Sequence, residues 1–589
     1  MKIEDNSESL VNVSFYSILY PSRILPPCFY NGHLSENLKD IYELYSDNDI
    51  LKDNFVLSDK KIINFNGYID QTTRVKKGVE PINFISEKPS HGTRKFSVAH
   101  PLVQLPLHKY ILDNVDIILN EQIEDKKNYS SNSKYYYKDK EIYVEYDYNG
   151  HELISSGNDT LLQKKYRDSI LKKHILSRGK FNKLYLDIAN FYHNIYTHTI
   201  SWNIDDDNKD IFDNLDMLMR TQNNNETKGI IIGPYTSGLF AEILMSKIDR
   251  HILKFINDNN MDVSYARYVD DIEMYSDNKD NLEKCLFEIE KELSKFKLDI
   301  NHNKTQICEF PFFQSNTKNT KNIYQLVDRL KANNYQDDLE KIEDIILEFE
   351  NAIKDGHVNA RYFIKVINSL IKEEDIIDLI ESDIIWILVS YLINITLKHQ
   401  YLTPNIIMFL ITIVENNNNI DKEYLAENII NKRNIKESTT REIVDIWFVY
   451  ILIRLNIKGD IVNKYFYELL DNSVMCSVMI LNYYYYNDYY ENSEIKGKLK
   501  TYFEKIKSNL INKYGTNWLN AAWLSKYWII FYMNETRWKI HEIVGYKDTV
   551  FEKIKLDKLL EDPTLMKKLN IFKIMKDLGI EIFDNDIKE

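Results

Sequence analysis

Cysteine is scarce: four in 589 residues, Cys28, Cys285, Cys308 and Cys476, with no pair in C-x-x-C spacing. That excludes a disulfide scaffold and a zinc site built on paired cysteines, and fits a reducing compartment. Proline (11) and glycine (16) are also few, which argues against an all-β chain of many tight turns and favours helix. An excess of positive charge is missing. With a formal net charge of −14, coating nucleic acid by bulk charge is excluded, although a local basic groove is not. A long apolar run is missing too. The greasiest stretch, Ile384–Leu397, is interrupted by Ser390, Asn394 and Thr396 and falls short of the roughly 20 residues a membrane span needs, so a buried helix and no membrane partner are expected. Met1–Val13 is polar and acidic with no apolar core, so no secretory signal is expected and a cytoplasmic location is.

What remains is the balance of a soluble globular protein, 44% hydrophobic and 28% charged, at a length that implies about three or four domain-sized units. The 42 tyrosines accompany heavy use of Asn, Ile and Lys, so runs such as Tyr135–Tyr137 and Tyr483–Tyr486 read as composition and packing before they read as stacking platforms. Three regions are expected. Residues 1–183 mix short apolar runs with Pro and Gly punctuation. Residues 184–316 run strand, helix, hairpin, helix: a strand over Leu184–Ile188, a helix over Pro234–Leu253, a hairpin over Tyr265–Tyr275 and an amphipathic helix over Asn281–Lys297. Residues 317–589 are helical throughout, with segments such as Asp337–Lys354, Ile376–Leu397 and Glu442–Leu455, and suggest stacked helical hairpins of the HEAT or α-repeat kind, although no fixed period is visible.

Three blocks carry chemistry. Leu184-Tyr-Leu-Asp-Ile-Ala-Asn-Phe-Tyr192 is an apolar strand delivering Asp187 near its end. Lys228-Gly-Ile-Ile-Ile-Gly-Pro-Tyr-Thr-Ser237 is a small-residue loop opening a helix. Ala266-Arg-Tyr-Val-Asp-Asp-Ile-Glu-Met-Tyr275 sets Asp270 and Asp271 between two apolar strands. Adjacent strand residues point to opposite faces, so two neighbouring aspartates converge only where the chain bends, at a hairpin tip. Clustered buried carboxylates repel unless cations neutralise them. Two Mg²⁺ ions, with Mn²⁺ as an alternative, suit carboxylates and substrate phosphates, with Asp187, Asp270 and Asp271 as ligands. The pairs Asp205-Asp206 and Asp337-Asp338 lack flanking strands and read as solvated loop or cap residues. His193 and His198, with no further His or Cys nearby, read as hydrogen-bonded core residues. Before the first block, Lys164, Lys165, Arg167, Lys172, Lys173, Arg178, Lys180 and Lys183 face one acidic residue, Asp168: a candidate nucleic-acid track, or a solvated helix face.

The third block resembles motif C of reverse transcriptases, Asp187–Tyr192 resembles motif A, and Gly229–Ser237 resembles motif B. More narrowly, Asp-Ile-Ala-Asn-Phe-Tyr-His-Asn-Ile-Tyr-Thr-His-Thr-Ile-Ser-Trp (Asp187–Trp202) and Gly229-x-x-x-Gly-Pro-x-x-Ser237, followed by Glu242 and Asp249, resemble the prokaryotic abortive-infection and defence-associated reverse transcriptases of the AbiK and AbiA type, relatives of the group II intron-like enzymes. The likeness covers about residues 80–315, and the tail in general character. It implies an α+β fold of right-hand fingers and palm followed by an all-α tail. It implies Tyr192 as the steric gate against a 2′-OH, Arg94 and Lys95 as triphosphate ligands, Gly233, Pro234 and Ser237 at the nucleotide, Lys304 as proton donor to the leaving pyrophosphate, and Phe310–Phe312 at the primer grip. It further implies antiphage abortive infection, polymerisation of dNTPs without a nucleic-acid template, single-stranded DNA left covalently on a protein tyrosine that the sequence does not single out, a homo-oligomer, and a phage protein as trigger. Two other readings stand beside it: a conventional reverse transcriptase copying a partner non-coding RNA, and a non-enzymatic scaffold for nucleic acid or a phage protein with a vestigial site.

Overall fold

The structure, a computed structural model of the chain, describes residues 10–12, 17–21, 24–44, 55–58, 61–65, 68–69, 76–89, 92–131, 133–145, 171–312, 317–374, 376–435, 441–487, 489, 492–539 and 553–584. In the N-terminal third, Ile82–Glu87 (β1) and Thr93–Val98 (β2) form an antiparallel hairpin with Ser86 opposite Arg94. Buried Ile82, Phe84 and Ser86 alternate with more exposed Asn83, Ile85 and Glu87, the period of a half-buried strand. Helix α1 (Pro101–Asp113) follows, entered through His100, whose ring accepts the Leu102 N–H. Pro101 stands at its first turn, where no backbone partner is needed.

The central sheet has five strands, Tyr129–Ser131 (β3), Asn182–Asp187 (β4), Val263–Tyr268 (β5), Asp271–Ser276 (β6) and Gln306–Glu309 (β7), in the order β7-β4-β6-β5-β3. All neighbours are antiparallel except β5 and β3. Between β4 and β5 the chain forms α2 (Lys209–Gln222) and α3 (Tyr235–Asp258). After β6 comes α4 (Lys279–Lys295), begun by the Asn278 side chain accepting the Asp280 N–H at 2.9 Å. One sheet face buries Leu184, Leu186, Ile272 and Met274 completely, with α4 packed on β4 and β6. Each such side chain stabilises by about 1.5–3 kcal/mol. The other face carries Lys183, Tyr185 and Asp187, paired in register with Tyr275, Glu273 and Asp271. A one-residue slip would turn the carboxylates into the core, so the apolar face fixes the register.

The expected strand, helices and hairpin of this region are all present, each displaced by a few residues at its ends. Elements outside the sequence reading include two that frame the site. Helix α2 is interrupted by Asp and Asn yet buries Phe212, Leu215, Leu218 and Met219. Strand β3 is three residues of Tyr-Ser-Ser, too short and polar to announce itself.

The tail contains Thr317–Ala332 (α5), Asp338–Lys354 (α6), His357–Glu373 (α7), Ser382–Lys398 (α8), Thr403–Asn416 (α9), Lys422–Ile435 (α10), Glu442–Arg454 (α11), Asp460–Leu470 (α12), Val474–Tyr486 (α13), Ser493–Tyr514 (α14) and, later, Pro563–Asp577 (α15). Helices α6 to α13 pack on their second neighbours in succession, α6 on α8, α7 on α9, and so on to α11 on α13. Ile384–Leu397 lies inside α8, largely buried. The helix expected from Ile376 begins only at Ser382, because Asn417 and Asn419 side chains bind the carbonyls of Ile377 and Ile380 at 2.6–3.1 Å. Tyr483 and Tyr484 are buried in α13, as packing residues. Among the described residues no helix is long and apolar enough to cross a membrane.

Candidate active site

Strands β5 and β6 are joined by a two-residue turn, Val269-Asp270, with Tyr268 opposite Asp271. Val269 has φ 51°. This turn is the bend that two adjacent aspartates require. Asp187, the last residue of β4, lies directly opposite Asp271, and the next N–H, of Ile188, donates to the Asp270 carbonyl at 3.3 Å. Three acidic residues from two separate stretches of chain are thereby gathered at one end of the sheet.

Their charges are mutually unfavourable. Burial, then the neighbouring Asp271 and Asp187, pushes Asp270 up to about 7. Burial and Asp187 also raise Asp271, against the opposing hydrogen bond from the Tyr185 hydroxyl at 2.6 Å. Asp187 accepts from Lys304 Nζ at 2.8 Å and from Asn301 Nδ2 at 3.0 Å. Buried carboxylates that raise one another's pKa are relieved by a cation, and an all-carboxylate donor set suits a hard divalent ion. Among the described residues no three such groups stand ready in the geometry of an ion site. Lys304, Asn301 and Tyr185 occupy carboxylate oxygens that an entering ion would have to take over. The donors therefore fit by type, with an exchange of contacts on binding.

Cations face this cluster. Lys88, at the end of β1, is depressed by burial first and then by Arg94 and Lys304, while Asp187 and Asp270 act the other way; its Nζ donates to Asn190 Oδ1 at 3.3 Å. Arg94 and Lys95 are exposed on β2. Burial of its ring, then Lys95, Lys88 and Arg94, lowers His193. Tyr192 is half-buried in a short helical turn, Phe191–Asn194, its hydroxyl raised by burial and by Asp270. Gly233 has φ 154°, and a Cβ there would stand 2.3 Å from the Ser97 carbonyl. The loop it belongs to accepts the Ser97 N–H through Ile232 O at 2.7 Å, so strand β2 and the entrance to α3 are fastened together. Pro234 precedes α3, and Ser237 is buried in its first turn.

The remaining candidates are dispersed. His198 pairs with Asp216 at 2.8 Å. Asp205 and Asp206 lie at a short 3-10 turn, and Asp337 starts α6 by accepting the Glu340 N–H. Of the basic cluster, Lys164, Lys165 and Arg167 lie outside the described residues. Lys172 approaches Asp125 at 3.6 Å, Lys173 and Lys183 approach Glu273 at 3.4 and 3.3 Å, and Lys180 binds Asp262 at 2.5 Å. Arg178 is exposed. Phe310 is exposed beside Phe181, whose carbonyl accepts its N–H. Three residues at the cluster escape sequence reasoning. Tyr185 is signalled by strand alternation two residues before Asp187, and Asn301 by its place in the Asn-His-Asn-Lys string. Lys88 has no local signal, since only the hairpin brings it to Arg94.

A sheet that ends in convergent aspartates, with Lys88 and Arg94 close enough to act on their charge, is an arrangement suited to nucleotidyl transfer. The family model described as reverse transcriptase (RNA-dependent DNA polymerase) matches residues 155–335. The chain thus carries a reverse transcriptase domain and is an enzyme of the nucleotidyl-transferring class. No curated protein matches the chain. Similar solved structures include apo telomerase from Candida tropicalis truncated from its C-terminal domain, 16% identical with a TM-score of 0.27, covering 47% of this chain and 56% of that one. Apo telomerase from Candida tropicalis is 14% identical with a TM-score of 0.27, over 69% of this chain and 72% of that one. Telomerase from Candida albicans in complex with a TWJ fragment of telomeric RNA is 13% identical with a TM-score of 0.27, over 71% of each.

Proposed function

We propose that the chain polymerises deoxynucleotides in an antiphage abortive-infection system in the cytoplasm, without a nucleic-acid template and starting from a hydroxyl of the protein itself. The observation that carries the polymerase reading is the register of Asp187 against Asp271, with Asp270 at the adjoining turn. In this reading residues 1–183 hold the fingers, 184–316 the palm and 317–589 a helical-repeat tail that takes part in a homo-oligomer.

Asp187, Asp270 and Asp271 would hold two Mg²⁺ ions, or Mn²⁺ in their place. Bound there, such ions lower the pKa of the attacking hydroxyl and neutralise charge developing on the pyrophosphate. The chain's own residues do the rest. Lys88, Arg94 and Lys95 are the cations of the fingers hairpin, suited to the phosphates of a dNTP by charge-assisted hydrogen bonds. Tyr192 sets a ring against the sugar and excludes a 2′-OH. Gly233 and Pro234 let the chain approach the nucleotide closely, with Ser237 behind them. Lys304, released from Asp187, gives a proton to the departing pyrophosphate. Lys172, Lys173 and Arg178, with Lys164, Lys165 and Arg167, supply the track for the growing strand once their surface ion pairs exchange for phosphate.

A second reading, synthesis of DNA on a partner non-coding RNA, is favoured by the match to the RNA-dependent family. Incubation of purified protein with Mg²⁺ and labelled dNTPs, with and without RNA, separates the two. Label that migrates with the protein without added RNA, and shifts on protease treatment, is the expected result. Label that appears only with RNA and runs free of protein supports the templated reading, and none under either condition contradicts both.

A further inference from the structure

The turn that presents Asp270 contains a β-branched residue in the left-handed region, Val269 at φ 51°, a conformation such side chains disfavour. Both backbone polar groups of Val269 are taken up by a buried polar network. Its N–H donates to Ser133 Oγ at 3.1 Å, and its carbonyl accepts from Arg267 Nη1 at 3.1 Å. The Ser133 hydroxyl donates its one proton to Glu242 at 2.6 Å, which leaves its lone pairs for Val269. Arg267 is fully buried; it donates to Glu242 through Nη1 and Nη2, both at 2.9 Å, and to Asp249 through Nε at 2.9 Å and Nη2 at 2.8 Å. The hydroxyls of Tyr129 and Tyr265 donate to Asp249 at 2.8 and 2.5 Å, and that of Ser131 to Glu242 at 2.9 Å. Burial opposes ionisation of Glu242, yet Arg267 and the two serines hold it below the ordinary carboxylate range.

A buried ion network is poor evidence of added stability, because apolar side chains fill a core as well. What this one supplies is two hydrogen bonds to the residue before Asp270, anchored in α3 and at the sheet edge. We propose that Ser133 and Arg267 are positioning residues: they keep Val269 in its left-handed conformation and so fix where the Asp270 carboxylate stands against Asp187 and Asp271. The inference rests on reading Asp270 as a catalytic carboxylate.

The test is kinetic. Ser133→Ala is expected to lower kcat for dNTP incorporation by about ten-fold or more, with KM for dNTP within about two-fold, as for a misplaced reacting group. Adding Val269→Gly is expected to recover most of that loss, since glycine takes a positive φ unaided. Ser131→Ala breaks a bond to the same Glu242 but touches neither polar group of Val269; its smaller loss is expected to be insensitive to Val269→Gly. Ser133→Cys, similar in size and a weak acceptor, carries the same comparison should the alanine variant not fold. Asp270→Asn is measured alongside. An active Asp270→Asn removes the premise and the proposal with it. An inactive one together with full kcat in Ser133→Ala, or with a loss that Val269→Gly leaves unchanged, overturns the positioning role alone.

Discussion

Tyr192 stands close enough to Asp270 for the carboxylate to raise its hydroxyl, and close to Gly238 and the buried Tyr135 hydroxyl. A large ring in that position leaves little room for an additional oxygen on an incoming sugar. Tyr192→Ala is therefore expected to cut the preference for dNTP over rNTP, measured as a ratio of kcat/KM values, by on the order of 10–100-fold; an unchanged ratio removes Tyr192 from the nucleotide pocket. At this scale the acidic residues are legible in the sequence because each is bracketed by apolar strand residues. Lys88 and Ser133 are not. Their proximity to the cluster comes from a hairpin pairing and from the short strand β3, and neither leaves a periodic trace.

Among the elements, the joint between β2 and the loop before α3 is tight. With the Ser97 carbonyl 2.3 Å from where a Cβ would sit on Gly233, Gly233→Ala forces the loop from the strand. A loss of roughly 2 kcal/mol or more in unfolding free energy is expected, together with weakened dNTP binding; denaturant melts and KM check both. Glycine and proline side by side are visible in the sequence, but the strand they press against is not. The junction of α11 with β1 carries a titratable group. Glu442 accepts the Ile85 N–H at 3.3 Å and is pushed by burial from 4.5 up to about 7. Its folded pKa lies above its unfolded one, so the folded state binds the extra proton between about 4.5 and 7 and loses stability as pH rises through that window. Glu442→Gln is expected to be more stable than the parent at pH 8, by on the order of 2 kcal/mol, with the advantage vanishing toward pH 5 in thermal melts. An equal shift at both pH values contradicts this.

Across the whole molecule, the helical tail is tied to the N-terminal third by several contacts. The Tyr20 hydroxyl donates to the Ile582 carbonyl at 2.7 Å, the Gln400 N–H to Glu87 at 3.1 Å, and Tyr514 and Lys513 reach Glu80 at 3.2 and 2.8 Å. His100, at the entrance to α1, meets the Trp523 carbonyl at 2.8 Å. The β1–β2 hairpin and its surroundings thus depend on residues more than three hundred positions away. A chain cut after residue 316 is expected to lose cooperative unfolding and dNTP incorporation together, by calorimetry and by label uptake, because it exposes apolar surface that the tail buries. From helical periodicity the sequence suggests a change of character near residue 316, but periodicity shows only that a helix has an apolar face. It does not say what covers it, and here part of the cover is the N-terminal third, through β1 and α1.

One arrangement carries the proposed chemistry, and incorporation of labelled dNTP by the parent and by Asp187→Asn, Asp270→Asn and Asp271→Asn, each verified as folded by its melting transition, tests it directly. The predicted result is incorporation by the parent in Mg²⁺ and a fall of about a thousand-fold or more in every variant, the scale of loss when charge stabilisation at a reacting group is removed. Parent-like incorporation by a folded Asp187→Asn or Asp270→Asn would contradict it.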